Sequence, residues 1–471
     1  MEYCFAEVNL ANYAHNLGEI KRFLPQGTKI MAVIKANAYG CGIVEIAKKA
    51  FECGIYSLGV ARIDEALIVR DALPEARILI LGYTPKEFLS KAIAQNIELC
   101  VYHKDIAEAI SREAVAQGKV ARIHIKLDTG MGRIGYLCGG NSFWDNHLRC
   151  FDDKISLDGH QVLSRSFRAK TMQSTTAIPS VVDSAHSAES SEKIKSKKPN
   201  KSFCYFWLLP KVESPLPLNP NLPSEANSQN LAQKSVESTA ESALNEIESI
   251  AKLPNINVAG VFTHFSSADE DDLSYTQMQC DRYSAFIEKL KSRGITGFIR
   301  HCSNSAGIFS YPKGIFDMVR VGIVSYGISP NIALPVTLKP VLSLKARVVH
   351  IKTLPKGSAV SYGRTFITNA PTRIATVCVG YADGYSRLLS NKAEVLIRGK
   401  RAKVVGNVCM DQLCVDISAT KCVAIGDEVV LFGVDEWGNE ISPDELAQKI
   451  GTISYEILCA VSNRVPRIYK R

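Results

Sequence analysis

The sequence predicts an α/β protein: an N-terminal (β/α)8 TIM-like barrel followed by a mainly β C-terminal domain. Three observations carry this. Eight strand-like apolar runs recur, each followed by a helical pattern. One polar stretch, from about 139 to about 239, interrupts the rhythm once. After about Leu338 the rhythm gives way to short β-rich segments separated by Gly and Asp turns.

In chain order, Ala6 to Leu10 reads as a short strand, and Leu10, Tyr13, Leu17, Ile20 and Leu24 then recur at helical spacing. Strand-like runs follow near 28–35, 55–60, 77–82, 96–101 and 120–127, with amphipathic helical patterns near 43–53, 62–72, 85–95 and 104–117. Gly54 and Gly118 stand where helix C-caps belong. Beyond the interruption come a helix near 241–253, a strand at 256–263, a long helix near 271–293, a strand near 297–301, a short helix and a strand at 316–321. The barrel is therefore expected over 1–337 and the β domain over 338–471.

The interruption is rich in Ser, Lys, Asn and Pro, as in Ser187-Ala188-Glu189-Ser190-Ser191-Glu192-Lys193. Such a stretch buries too little apolar surface to offset its ordering entropy. Long insertions between elements cost little, because loop-closure entropy grows slowly with length. A largely disordered insertion is expected, with an aromatic patch at 203–209 that could dock on the barrel or on a partner. In the second domain, β segments are expected at 341–353, 373–380, 393–398, 401–406, 408–417 and 427–433. Ser442-Pro443-Asp444-Glu445 is a capping box with proline at the first helical position, so a helix should run to about Ile450.

Composition narrows the function classes. With 471 residues and 46% hydrophobic content the chain can bury a sizeable core. A net charge of +9 without an arginine-rich aromatic surface motif argues against nucleic acid. The 14 cysteines are scattered without a C-x-x-C pair, and several (Cys100, Cys378, Cys409, Cys414) lie in apolar runs, which favours reduced thiols over disulfides or zinc. The opening Met1-Glu2-Tyr3-Cys4-Phe5-Ala6-Glu7 has neither a basic nor an apolar leader region, and no apolar run approaches about 18 residues. A cytoplasmic protein without a membrane span is expected.

On a barrel, chemistry gathers at the C-terminal ends of the strands. Taken alone, a lysine at a strand end is usually solvated. Here Lys35 and Tyr39 end the first run, Lys126-Leu127-Asp128-Thr129-Gly130-Met131-Gly132-Arg133 the fifth, Thr263-His264-Phe265 the sixth, His301-Cys302-Ser303-Asn304-Ser305 the seventh and Arg320-Val321-Gly322-Ile323 the eighth. This cationic, donor-rich mouth suits an anionic ligand. Asn304-Ser305 before a short helix and Gly322-Ile323 after a strand offer backbone N–H groups to a phosphate. The histidines lack a metal-ligand spacing, so no metal is expected. A lysine beside a phosphate site suggests a Schiff base to a phosphorylated aldehyde cofactor.

Ala32-Val33-Ile34-Lys35-Ala36-Asn37-Ala38-Tyr39-Gly40 resembles the pyridoxal phosphate attachment motif of the alanine racemase family. Lys126 to Gly135, Thr263 to Asp269, Asn304-Ser305-Ala306, Val319 to Ile323, Ser361-Tyr362-Gly363, Gly380-Tyr381-Ala382-Asp383-Gly384 and Cys409-Met410-Asp411-Gln412 resemble that family's blocks, in its order. The resemblance covers nearly the whole chain outside the insertion.

The resemblance implies a homodimeric pyridoxal 5'-phosphate enzyme that interconverts L- and D-alanine and supplies D-alanine for peptidoglycan. Lys35 would hold the cofactor and act as one of two bases. Tyr362, from the β domain of the neighbouring subunit, would be the base on the opposite face, with His264 helping to position it. Arg320 would face the pyridine nitrogen. Tyr39, Ser305, Gly322 and Ile323 would hold the phosphate. Arg133 and the backbone near Met410 would hold the substrate carboxylate, and Lys126 matches a position that can be carbamylated. One departure bears on specificity: Asn463 precedes Arg464-Val465-Pro466-Arg467 where the family commonly has a tyrosine. A smaller amide there would lose a phosphate contact and favour a hydroxylated substrate such as serine, making a serine or broad-specificity racemase the alternative. A decarboxylase of the same architecture gives no reason for Ser361-Tyr362-Gly363 and usually sets a carboxylate at the pyridine nitrogen. A non-catalytic cofactor carrier does not need a second base.

Overall fold

The structure is a computed structural model, and it describes residues 2–138 and 239–471. The expected insertion and its aromatic patch lie outside the described residues. The chain opens with β1 (Cys4–Asn9) and α1 (Leu10–Phe23), capped by Asn9 Oδ1 accepting from the Asn12 N–H at 2.9 Å. Eight parallel strands then build the first sheet: β2 (Lys29–Val33), β3 (Ser57–Val60), β4 (Ile78–Ile80), β5 (Glu98–Val101), β6 (Ala121–Asp128), β7 (Ile256–Phe262), β8 (Ile299–His301) and β9 (Met318–Val321). Their order is β9-β2-β3-β4-β5-β6-β7-β8. The two outer strands meet where the Arg320 N–H donates to the Ser303 carbonyl at 3.0 Å.

Several of these strands, such as Ile78–Ile80, are short apolar runs because helices cover one face and the barrel interior fills the other. Helices α2 (Ile43–Glu52), α3 (Ile63–Ala72), α4 (Leu89–Ala94), α5 (Lys104–Ala116), α6 (Ser274–Ser292) and α7 (Ser305–Ser310), with a helical stretch over 239–251, supply the outer layer. Gly54 and Gly118 adopt φ of +70° and +60° just past α2 and α5, as the cap positions require. Inside the barrel, Met31, Leu79 and Met318 form one apolar layer. Above it, two residues beyond Met318 on β9, stands the cationic side chain of Arg320. That change from apolar to polar along the barrel axis places the chemistry at the C-terminal mouth.

The second sheet is antiparallel except at one edge. It contains β10 (Leu342–Leu354), β11 (Thr372–Val377), β12 (Glu394–Ile397), β13 (Lys400–Val404), β14 (Leu413–Asp416), β15 (Glu428–Val434), β16 (Glu440–Ile441) and β17 (Arg467–Lys470). The order is β16-β15-β12-β13-β14-β11-β10-β1-β17, with β15 also pairing β10. Helix α8 (Pro443–Ile450) starts as the sequence predicts, with Ser442 Oγ accepting from the Glu445 N–H at 3.1 Å. It is followed by α9 (Ser454–Cys459).

One strand departs from the expected division. β1 falls within the stretch expected as barrel, yet it pairs antiparallel with β10 (Cys4↔Ala346) and parallel with β17 (Ala6↔Arg467). The eight barrel strands leave no edge for it, and its buried Phe5, Ala6 and Val8 find apolar neighbours in the second sheet.

Candidate active site

Lys35 stands two residues past β2, at the mouth of the barrel. The backbone that follows it is left-handed: Ala36, Asn37, Ala38 and Tyr39 have φ of 54°, 53°, 53° and 52°. For L-residues this conformation costs about 1–2 kcal/mol each, so the surroundings must enforce it. Glu65 does so with one carboxylate, its two oxygens accepting from the Ala36 N–H at 2.6 Å and the Ala61 N–H at 2.9 Å. The Asn37 side chain accepts from the Ile43 N–H at 2.9 Å, and Arg467 Nε donates to the Gly40 carbonyl at 3.0 Å. Gly40, at φ +82°, sits so close to α9 that a Cβ would lie 2.3 Å from the Leu458 carbonyl oxygen. The turn leaves the Lys35 side chain exposed to the cavity and buries Tyr39. Partial burial, and then the Arg133 guanidinium, hold the Lys35 amine below the ordinary lysine value.

Tyr39, Ser305 and Gly322 converge. A Cβ on residue 322 would lie 2.8 Å from the Tyr39 hydroxyl and 3.5 Å from Ser305 Oγ. The Gly322 N–H already donates to Ser305 Oγ at 3.0 Å. Ser305 opens α7, capped by Asn304, whose side chain accepts from the Gly307 N–H at 2.9 Å. Ile323 follows in a short 3-10 turn, Ile323–Tyr326. Hydroxyls and backbone N–H groups meeting around a missing side chain make a small anion cradle. The Tyr39 ring is wedged between Tyr326, at 4.6 Å, and Tyr455, at 6.0 Å.

Arg320 is buried beside the cradle. Its Nη1 donates to the His301 carbonyl at 2.9 Å and to His301 Nδ1 at 3.1 Å. Its Nη2 donates its two hydrogens to the carbonyls of Thr263 at 2.7 Å and Cys302 at 2.6 Å, and lies 3.2 Å from His264 Nδ1. None of these bonds uses Nε–H, and Arg320 lines the cavity. Burial pushes its pKa down to about 10, so it remains a cation near neutrality. His264 is held well below the ordinary histidine value by burial and then by Arg320, and is therefore neutral.

The loop after β6 is organised by one carboxylate. Asp128 accepts from the N–H groups of Gly130 at 3.0 Å, Gly132 at 3.1 Å and Arg133 at 3.2 Å. This brings Arg133 to the cavity. Lys126 is fully buried, 5.1 Å above the Phe262 ring, and its amine donates to the Leu127 carbonyl at 3.1 Å. Burial, then Arg320, push its pKa down to about 8.

One cavity of about 380 Å³ joins these groups. It is lined by Lys35, Tyr39, Lys126, Arg133, His264, Ser305, Arg320, Gly322 and Ile323, so the barrel-borne residues expected from the sequence meet in one place. Tyr362 and Met410 do not line it. They are exposed, at 73% and 53%, in the second domain. Tyr362 follows Ser361, whose hydroxyl donates to the Asn407 carbonyl at 2.5 Å, so the Tyr362 turn is tied to the segment leading to Met410.

Asn463 needs correction. It does not line the cavity, whereas Tyr455, on α9, does and packs on Tyr39. The aromatic place expected to be vacated by Asn463 is taken by Tyr455. The serine preference inferred from a missing tyrosine loses its basis. The sequence offers little signal for Tyr455, which reads as one apolar position in a short helix; only the docking of α9 against Gly40 carries it to the mouth.

Comparison with known proteins agrees with this arrangement. The family model for the alanine racemase N-terminal domain matches residues 8–144 and 238–330, and that for the C-terminal domain matches 341–469. The alanine racemase of Clostridium perfringens is 37% identical over 470 residues, covering 99% of this chain and 95% of that protein. The solved alanine racemase of Clostridium difficile 630 superposes with a TM-score of 0.74 at 32% identity, covering 100% of this chain and 96% of that one. The Bacillus anthracis alanine racemase, solved with bound L-Ala-P, superposes with a TM-score of 0.71 at 30% identity over 100% and 96% of the two chains. An eight-stranded barrel with a lysine, a buried arginine and an anion cradle at its mouth, joined to an antiparallel sheet, and these full-length likenesses lead to one assignment: this chain belongs to the alanine racemase family.

Proposed function

We propose that the protein is a pyridoxal 5'-phosphate-dependent alanine racemase that interconverts L- and D-alanine by two bases, and so supplies D-alanine for peptidoglycan. The observation that carries this is the cavity lined together by Lys35, the Tyr39–Ser305–Gly322 cradle and Arg320. The fit of the cofactor is supported by that cradle, which a Cβ at 322 would fill, and by the cavity-lining Arg320, whose hydrogen bonds through Nη1 and Nη2 leave Nε–H out.

When bound, pyridoxal phosphate supplies an electron sink that acidifies the α-proton of an amino acid joined to it. Lys35 holds the cofactor through its amine. Its lowered pKa keeps more of that amine unprotonated, and so nucleophilic, near neutrality. Tyr39, Ser305, Gly322 and Ile323 hold the phosphate, with Tyr455 packing on Tyr39. Arg320 stays protonated near neutrality, so it would donate a hydrogen bond to a pyridine nitrogen and leave that nitrogen unprotonated. Arg133 is the cation for the substrate carboxylate, with Met410 of a second copy beside it. Lys35 takes or returns the α-proton on one face and Tyr362 of a second copy does so on the other.

Exposure supports the homodimer in this reading. Tyr362, Met410, Tyr381 and Leu388 are all exposed large side chains of the second domain, and Tyr362 is away from its own chain's Lys35 cavity. Neutral Lys126 can react with carbon dioxide, forming an N–C bond and releasing a proton; the resulting carbamate is the anion that orients Arg133. Racemisation measured with a D-amino-acid oxidase-coupled assay tests the proposal. Wild type is expected to be active, and Lys35→Ala and Tyr362→Phe inactive or nearly so. Undiminished activity in Lys35→Ala would overturn it.

A further inference from the structure

A chain of buried hydrogen bonds runs from Arg320 down the barrel interior, away from the mouth. Arg320 Nη1 meets His301 Nδ1 at 3.1 Å, His301 Nε2 meets His124 Nδ1 at 3.0 Å, and His124 Nε2 meets Glu98 Oε2 at 2.8 Å. His124, His301 and Glu98 are 2%, 0% and 3% exposed. Barrel interiors are ordinarily filled by branched apolar side chains, so three buried polar residues in a row need a reason.

The donors and acceptors admit one arrangement of protons. Arg320 can only donate, so His301 Nδ1 accepts and its proton sits on Nε2. That proton points at His124 Nδ1, which accepts, so His124 carries its own proton on Nε2 and gives it to Glu98. The chain thus has a direction, from a guanidinium at the mouth through two neutral imidazoles to a carboxylate near the closed end. Glu98 is fixed as that terminus. Arg77 Nε and Arg122 Nε hold its Oε1 at 2.9 and 2.7 Å, leaving Oε2 for His124.

The surroundings are shaped for this. Gly260 pairs with His124 across neighbouring strands, and a Cβ there would lie 2.2 Å from His124 Nδ1. Only glycine leaves room for the ring. Phe262 stacks on His301 with centroids 4.8 Å apart and planes 7° from parallel, fixing the second ring.

We propose that Glu98 is a positioning residue for the racemase site, acting through His124 and His301 to fix the imidazole tautomer that Arg320 requires and hence the pose of that guanidinium. The proposal rests on the reading of Arg320 as the cofactor's partner. Without an acceptor at 98, His124 can shift its proton to Nδ1 and donate to His301 Nε2. His301 would then carry its proton on Nδ1, facing the Arg320 donor, and one Arg320 bond would be lost. A polar network of this kind acts as a unit, so an end-on change is felt at the far end.

Nitrogen-15 spectra of the histidine side chains in the full-length protein, with and without added pyridoxal phosphate, test this directly. In wild type, His124 and His301 are expected as Nε2–H tautomers. Glu98→Leu is expected to move His301 toward the Nδ1–H form, to alter the absorbance of the bound cofactor and to lower kcat about tenfold with KM for alanine changed less than about twofold. Glu98→Gln keeps an acceptor and is expected to restore the wild-type tautomers. Gly260→Ala leaves Glu98 in place but displaces the His124 ring, and is expected to act like Glu98→Leu. Arg122→Gln removes an ion pair of Glu98 without breaking the chain, and is expected to lower stability with the histidine spectrum unchanged. If Arg320→Lys alters the cofactor absorbance while Glu98→Leu keeps the wild-type histidine spectrum and kcat, the proposal alone is overturned. If Arg320→Lys leaves the absorbance unchanged, the reading of Arg320 falls and the proposal with it.

Discussion

The hydroxyl of Tyr39 lies 2.8 Å from the point that a Cβ on residue 322 would occupy. Gly322 has no side chain, and that leaves this space open to the cradle. Gly322→Ala is therefore expected to spare the fold and weaken the cofactor. Its affinity for pyridoxal phosphate should fall about tenfold or more, measured by absorbance titration, while the melting temperature without cofactor changes little.

The Lys35 amine is depressed by burial and by Arg133. A lowered pKa enlarges the unprotonated fraction at neutral pH, and attachment to an aldehyde requires that form. Removing the second cause with Arg133→Leu should raise the Lys35 pKa and slow cofactor attachment near pH 7 by about threefold. The pH profile of attachment should move upward, and the difference should vanish at high pH.

Lys126 carries the opposite lesson for stability. Its folded value of about 8 lies below the ordinary 10.5, so the unfolded chain binds more protons between those values and stability rises with pH across that window. Below about 8 a charged amine is buried at a cost of ~3 kcal/mol. In buffer freed of carbon dioxide, Lys126→Met should be more stable than wild type at pH 7 by roughly that amount. Denaturant titrations should find the gap closing as pH rises from about 8 toward 10.5.

Tyr455 packs on Tyr39 where Asn463 does not reach. Tyr455→Ala should weaken the cofactor by loosening Tyr39. Asn463→Tyr should leave the ratio of alanine to serine racemisation unchanged. A shift of that ratio toward alanine would restore a specificity role to Asn463.

The barrel was legible because each of its strands is a short apolar run between helical patterns, and a parallel strand buried on both faces writes itself that way. β2 and β6 also end in chemically distinctive residues, which made Lys35 and the Lys126–Arg133 loop visible. The left-handed turn at 36–39 was not legible. Ala, Asn, Ala and Tyr carry no common signal for positive φ, and the conformation is imposed by the nearby Ile43 and by Glu65 and Arg467, which lie further off in sequence. The partner of β1 was hidden for a similar reason, since its mates β10 and β17 lie more than three hundred residues on. Glu98, His124 and His301 read as single polar positions in three strands, and only barrel closure aligns them.

Shared assembly is the central claim, and mixing inactive subunits tests it most directly. Lys35→Ala and Tyr362→Ala chains are combined, unfolded and refolded together, and racemisation is measured. A mixed dimer holds one site with intact Lys35 from one copy and intact Tyr362 from the other, and one site with neither. With random pairing, half the dimers are mixed, so activity should return to about a quarter of wild type. No recovery in the refolded mixture, with wild type refolded alongside regaining its activity, would contradict a site built from two copies of the chain.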